Sequence, residues 1–205
     1  MKKLLLIFVC PLLFWVPHST SAQTEQGLNE IRVQISDGLP LTIVSAFTIG
    51  LADAFSNSYS DYDIEREDNN AFSGVWSVGY RYYVTPRFNV GGDISYMRNK
   101  TDYTLTKGTD VRQGERQNNF YMVMPTAEYL YMNRPKVQLY GNLGVGVLSL
   151  SGHSTVTTDR HDYSATTVAF QVNPIGVRFG QRFGGFAELG FGLKGILTAG
   201  FSARL

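Results

Sequence analysis

The sequence predicts an all-β fold, an eight-stranded antiparallel up-and-down transmembrane β-barrel. Three observations predict it. Stretches that alternate apolar and polar residues recur along the chain, each with one greasy face. The connections between them alternate between tight turns and long polar segments. The chain also closes on such a stretch, with Leu197, Ala199, Phe201, Ala203 and Leu205 on one face and Thr198, Gly200, Ser202 and Arg204 on the other. About ten residues of period two is the length that crosses a membrane at a tilt.

The front end reads as a secretory leader. Lys2-Lys3 supplies a positive start, Leu4 to Val16 an apolar core, and Ser19-Thr20-Ser21-Ala22 a run of small residues, with cleavage expected after Ala22. The core is too short and too interrupted, by Pro11 and Pro17, for a spanning helix. Cys10 is a poor lipid acceptor, because it lies early in the apolar run and Pro11 follows it. Residues 1–22 are thus expected to be a signal peptide and 23–205 a barrel domain.

Loss of that leader removes the only cysteine, and with it any disulfide or cysteine metal site. Loss of Lys2 and Lys3 takes the 18 basic residues to 16, against 17 acidic ones. That balance gives no electrostatic case for nucleic acid. No apolar run is long enough for a helical span, a search that barrels escape because their strands are only half apolar.

Each element can be justified in order. Residues 23–29 are a polar lead-in. Strand one is 30–36, with Ile31, Val33 and Ile35 on one face, and Asp37-Gly38 ends it. From Pro40 to Phe55 the apolar residues Val44, Phe47, Leu51 and Ala54-Phe55 recur at three and four, the helical period. Pro40 suits a first turn, whereas Thr42, Ile43, Val44 and Ile49 favour an extended chain. A short amphipathic helix in the first outer loop, or a distorted extension of strand one, fits this stretch. Residues 56–70 complete a long polar loop.

Strand two is 75–84, and Thr85-Pro86-Arg87 is a tight turn. Strand three runs from Phe88 to about Tyr103, and 104–117 is a second polar loop. Strand four is 118–132, with a bulge expected at Pro125, which cannot donate to a ladder. Asn133-Arg134-Pro135 turns into strand five, 136–150, and 151–162 is a third polar loop. In strand six, 163–180, the apolar parity slips at Asn173-Pro174, which reads as a bulge. Gln181 to Gly184 is a short turn, strand seven is 185–193, and Leu193-Lys194-Gly195 leads into strand eight. Tight turns after strands two, four and six, against long polar loops after one, three and five, are the outer-membrane pattern. An even count puts both termini on the periplasmic side.

The interior of such a barrel is just wide enough for its own side chains. Alternation assigns Arg32, Arg81, Asp93, Glu128, Arg178, Glu188 and Arg204 to it, four cations against three anions. Each lies near a tight turn or chain end, so they are expected to meet in the periplasmic half, with Arg204 beside Arg32, Glu128 and Glu188. A buried charge deprived of its partner costs about 3–5 kcal/mol, so they are expected to pair as a plug. Ordinary filling of a narrow barrel explains that cluster better than a proton or ion path. Gly79, Gly91, Gly144, Gly146, Gly190 and Gly192 are expected to make room for it. Tyr80, Tyr82, Phe88, Tyr129, Tyr131 and Phe179 read as an interfacial aromatic girdle.

The blocks Gly79-Tyr80-Arg81-Tyr82-Tyr83-Val84-Thr85-Pro86-Arg87-Phe88, Pro125-Thr126-Ala127-Glu128-Tyr129 and Arg182 to Gly192 resemble the small outer-membrane β-barrel domain proteins of Bacteroidetes. More distantly, the chain is similar to the OmpA/OmpX-like barrels. The resemblance implies a cell outer-membrane protein of a Gram-negative cell, and says little about activity. It also implies that the last strand carries the assembly signal, in Gly200, Phe201, Ala203 and Leu205. Leu205 and Ala203 stand where such signals usually carry aromatics. The expected partners are outer-membrane lipid and lipopolysaccharide, the barrel assembly machinery and periplasmic chaperones, with no nucleic acid, no cofactor and no metal, for a monomer.

The function expected is non-enzymatic, structural or in surface contact through the loops. A lipid A-modifying enzyme is the alternative, with His153, Ser154, His161, Asp162 and Ser164 as candidate base and nucleophile residues, although no G-x-S-x-G elbow is present. A narrow pore for small solutes conflicts with the charged plug. A soluble ligand-binding barrel would leave Arg81, Asp93, Glu128 and Arg178 facing water on the outside.

Overall fold

The computed structural model describes residues 26–39, 41, 63–72, 74–107, 110–156 and 159–205. Its strands are β1 (Asn29–Ser36), β2 (Asp63–Phe72), β3 (Val75–Thr85), β4 (Phe88–Lys107), β5 (Asp110–Asn133), β6 (Val137–Val156), β7 (Asp159–Gly180), β8 (Phe183–Gly192) and β9 (Leu197–Arg204). All neighbours pair antiparallel. β1 lies between β3 and β9, the order then runs β9-β8-β7-β6-β5, and β5 pairs with β4 beside β3 to close the ring. β2 pairs with the far end of β4 and so continues the line of β3. Gly74 interrupts that line at a φ of 65°, in the left-handed region that L side chains rarely adopt. Nine strands therefore occupy eight positions of an up-and-down barrel.

Burial is inverted relative to a water-soluble barrel. Along β3, Trp76, Val78, Tyr80, Tyr82 and Val84 point out, while Val75, Ser77, Arg81 and Tyr83 are buried inside. Phe201 is 78 % exposed and Val168 69 %, whereas Arg178 is 0 % and Arg32 1 % exposed. The apolar outer face continues through Ile31, Val33 and Ile35 on β1 and Leu143, Val145 and Val147 on β6. Strand alternation alone produces this, since successive side chains take opposite faces.

The structure corrects the loop assignments. The stretches 104–117 and 151–162, expected as polar loops, are largely strand: β4–β5 pairing continues to Lys107 opposite Asp110, and β6–β7 pairing to Val156 opposite Asp159. β2 likewise begins inside the expected loop 56–70 and runs on to Phe72. The physical reason is that these strands run beyond the apolar band. There both faces are polar, so no apolar period marks them. β8 ends at Gly192 and β9 begins at Leu197, so the long strands β4 to β7, with β2, form a sheet extension rising from one side of the barrel.

The bulge expected at Pro125 is absent. Val123 opposite Val147 and Thr126 opposite Gly144 keep one register across it, and Pro125 stays paired with Gly92 on the other side. The shift on β5 falls instead between Leu130 and Met132. Around Asn173-Pro174 the register shifts against both β6 and β8, where the slip in apolar parity places it. The leader 1–22, and the helical stretch 40–55 apart from Leu41, lie outside the described residues.

Candidate functional site

Interior ionic side chains form one network with three linked centres. At the first, Glu30 accepts from Arg32 Nε at 2.6 Å, Arg204 Nε at 2.7 Å and the Tyr83 hydroxyl at 2.9 Å. Arg204 also donates to the Tyr83 oxygen at 2.9 Å and to Gln138 Oε1. Arg178 Nε lies 3.7 Å from Glu30 and donates to Ser202 Oγ at 2.7 Å. The rest of its guanidinium caps the carbonyls of Gly180 and Gln181, at 2.7 and 3.0 Å, and so fixes the β7–β8 turn.

At the second centre Arg32 forks onto Glu128 with contacts of 2.7 and 2.9 Å, and reaches Glu188 at 3.4 Å. Its guanidinium also lies 5.1 Å from the ring centroids of both Tyr140 and Phe186. Glu188 accepts from Tyr140 at 2.9 Å, Asn142 at 3.0 Å and Asn173 at 2.7 Å. Gly176 permits this arrangement, since a Cβ there would stand 2.4 Å from the Tyr140 ring. At the third centre Asp93 holds Arg81 at 2.8 Å and Lys194 Nζ at 2.8 Å. Arg81 Nε, 4.0 Å from Glu128, links the third centre to the second.

All seven side chains assigned to the interior by alternation therefore lie there, each buried. Arg204 meets Glu30, Tyr83 and Gln138, and through the shared Glu30 carboxylate it stands beside Arg32. Sequence reasoning missed two members. Glu30 shares the parity of Arg32, and that signal was available. Lys194 was assigned to a turn. Its backbone does turn, but its ammonium reaches into the lumen to Asp93, which no strand period could show. With both added, five cations face four anions.

The far half of the lumen is different. Val75, Met97, Phe120, Met122, Met124, Leu148 and Ala169 form a buried apolar cluster, and Leu41 packs into it from the segment after β1. The inward parity of Phe120, Met122 and Met124 could have revealed this layer. Among the described residues, buried ions therefore occupy the lumen near the tight turns and buried apolar side chains occupy it beyond them.

The predicted assembly residues lie apart from the network. Phe201 and Leu205 face outward, 78 % and 65 % exposed, and Ala203 shares their face. Gly200 points inward, where a Cβ would meet the Val33 carbonyl at 2.4 Å. The candidate enzyme residues sit on paired strands of the extension, with His153 opposite Asp162, Ser154 opposite His161 and Ser151 opposite Ser164. His153, Asp162 and Ser164 line a shallow hollow with Asn119 and Ser151.

No family model matches the chain, and no curated protein matches it. Among solved structures the chain is similar to Ail, the attachment invasion locus protein of Yersinia pestis, with a TM-score of 0.48 and 15 % identity over 88 % of this chain and 99 % of that one. A structure of the same protein in complex with the heparin analogue sucrose octasulfate gives a TM-score of 0.44 at 16 % identity, over the same shares.

Proposed function

We propose that this chain is a non-enzymatic integral protein of a bacterial outer membrane, with a plugged barrel as anchor and the sheet extension as a surface-contact element. The observation that carries the reading is the inverted burial: a belt of Ile, Val, Leu, Tyr and Phe outside, and nine paired charges inside. Such a belt is stable in lipid and unstable in water. The ion-paired interior supports anchoring over conduction. The extension supports contact, because β8 joins β7 only from Gln171 onward. Over Asp159–Ala169, β7 has no strand on that side among the described residues. An open strand edge offers backbone donors and acceptors to another chain. In this reading the tight turns and both termini lie in the periplasm, and the last strand serves assembly.

Fractionation with cysteine labelling tests the assignment. Thr155→Cys, in the extension, should react with a membrane-impermeant maleimide on intact cells. Lys136→Cys, at a tight turn, should react only after the outer membrane is permeabilised. Recovery of the protein in the soluble periplasm would sink the reading.

A further inference from the structure

The lipid-facing wall carries a depression close to the tight turns. Ala127, Tyr129, Leu143 and Pro174 are among its lining residues, with Glu128, Asn142 and Asn173 at its floor, and its volume is about 320 Å³. Its origin lies in the backbone. The β6–β7 register shifts between Tyr140 and Asn142, and β7 shifts again between Val172 and Ile175 against β8. Gly141 falls at that irregularity, and the Tyr131 hydroxyl occupies the space a Cβ would take there as it donates to the Pro174 carbonyl at 3.2 Å. The hollow is mostly apolar and opens on the outer face, so lipid is the medium that fills it in the membrane.

Beneath it the tight turns form an arc of exposed cations: Arg87 on the β3–β4 turn, Arg134 and Lys136 on the β5–β6 turn, and Arg182 on the β7–β8 turn. Hydrogen bonds stitch the three turns side by side. Asn133 Nδ2 donates to the Pro86 carbonyl at 2.7 Å, and the Gly180 amide to the Lys136 carbonyl at 3.0 Å. None of these turns carries a carboxylate side chain. Among the described residues, none of the four cations takes part in an ion pair, in contrast to the interior, where every cation has a carboxylate within 4.0 Å. An unpaired basic arc directly below an apolar hollow matches an acyl chain joined to a negative headgroup.

We infer that this face is a binding seat for an anionic glycerophospholipid of the leaflet nearest the tight turns, its chain against Ala127 and Leu143 and its phosphate on Arg134 and Lys136, with Arg87 and Arg182 flanking. The inference rests on the membrane-spanning reading. The test is native mass spectrometry of the refolded mature chain from mixed micelles holding equal amounts of dioleoyl-phosphatidylglycerol and dioleoyl-phosphatidylcholine. The acyl chains are identical and only headgroup charge differs. Wild type should retain the glycerol lipid at least about fivefold over the choline lipid. Replacing Arg87, Arg134, Lys136 and Arg182 together by Gln should bring that ratio to about one, as should adding about 1 M salt to the wild type. Ala127→Trp, which fills the hollow, should lower retention of both lipids and leave their ratio unchanged.

No headgroup preference in the folded wild type overturns the seat. So does a preference that survives both the Gln substitutions and high salt, unchanged retention in Ala127→Trp, or a second copy of the chain in place of lipid. Heat-modifiable mobility on cold gels reports folding independently. A chain that never gives the folded band in lipid overturns the membrane reading as well, while a folded chain without preference overturns the seat alone.

Discussion

Two ion pairs of the same length sit in two regions of this molecule. Lys194 Nζ lies 2.8 Å from Asp93 inside the barrel, where both side chains are 2 % exposed. Lys100 Nζ lies 2.8 Å from Glu115 in the sheet extension, where they are 40 % and 48 % exposed. Geometry does not separate them; their surroundings do. Inside, the solvation of each charge has been given up on folding and only the partner replaces it. Outside, water screens the attraction and solvates either charge left alone. The lumen therefore depends on complete pairing, and the extension depends on its backbone ladder.

Asp93→Leu should break the lumen hardest, because it strands Lys194 and removes the main partner of Arg81. A cost of about 3–5 kcal/mol is expected, read as a lower urea midpoint for loss of the folded gel band in detergent. Adding Lys194→Met should recover part of it, with a coupling of about 0.5–3 kcal/mol. If Asp93→Leu costs nothing, the lumen is wet and its difference from the extension disappears. A second variant sharpens the contrast within the lumen. Met122→Ala, in the apolar half, leaves a cavity and no stranded charge. About 2–3 kcal/mol is expected, measured in the same way, and double replacements should bring no recovery of the kind Lys194→Met provides.

The same contrast explains what the sequence showed. Inside the lipid belt one face of every strand must be apolar, so period two marked the eight barrel positions and placed Arg32, Arg81, Asp93, Glu128, Arg178, Glu188 and Arg204 inside. Beyond the belt no such demand exists. Glu115 and Arg116 pair with Asp102 and Thr101 across β5 and β4 as strand residues, yet Glu115 and Arg116 read as loop. Pairing partners were legible only as a list of inward charges. That Arg204 meets Glu30 and Tyr83 depends on barrel diameter and depth, which alternation does not encode. Lys194 was hidden for a related reason, since its side chain enters from a turn. The hollow at Gly141 needed register shifts on two neighbouring strands, of which only the one at Asn173-Pro174 had a parity signal.

The smallest effect is expected at Lys100. A hydrogen bond from its ammonium, and then its charge, hold the Glu115 carboxyl below its ordinary range. The sign follows from linkage: a carboxyl depressed in the folded state contributes stability above its unfolded value, and that contribution fades as pH falls through the folded one. Glu115 is solvent-exposed, so water screens most of that contribution. Lys100→Ala should therefore move the Glu115 titration upward by carbonyl-detected NMR while leaving the urea midpoint at pH 7 unchanged. The Asp102 and Glu115 pairing across β4 and β5 should persist, because the ladder does not need the ion pair. A midpoint shift like that of Asp93→Leu would show that side-chain pairing holds the extension too, and the two regions would then follow one rule.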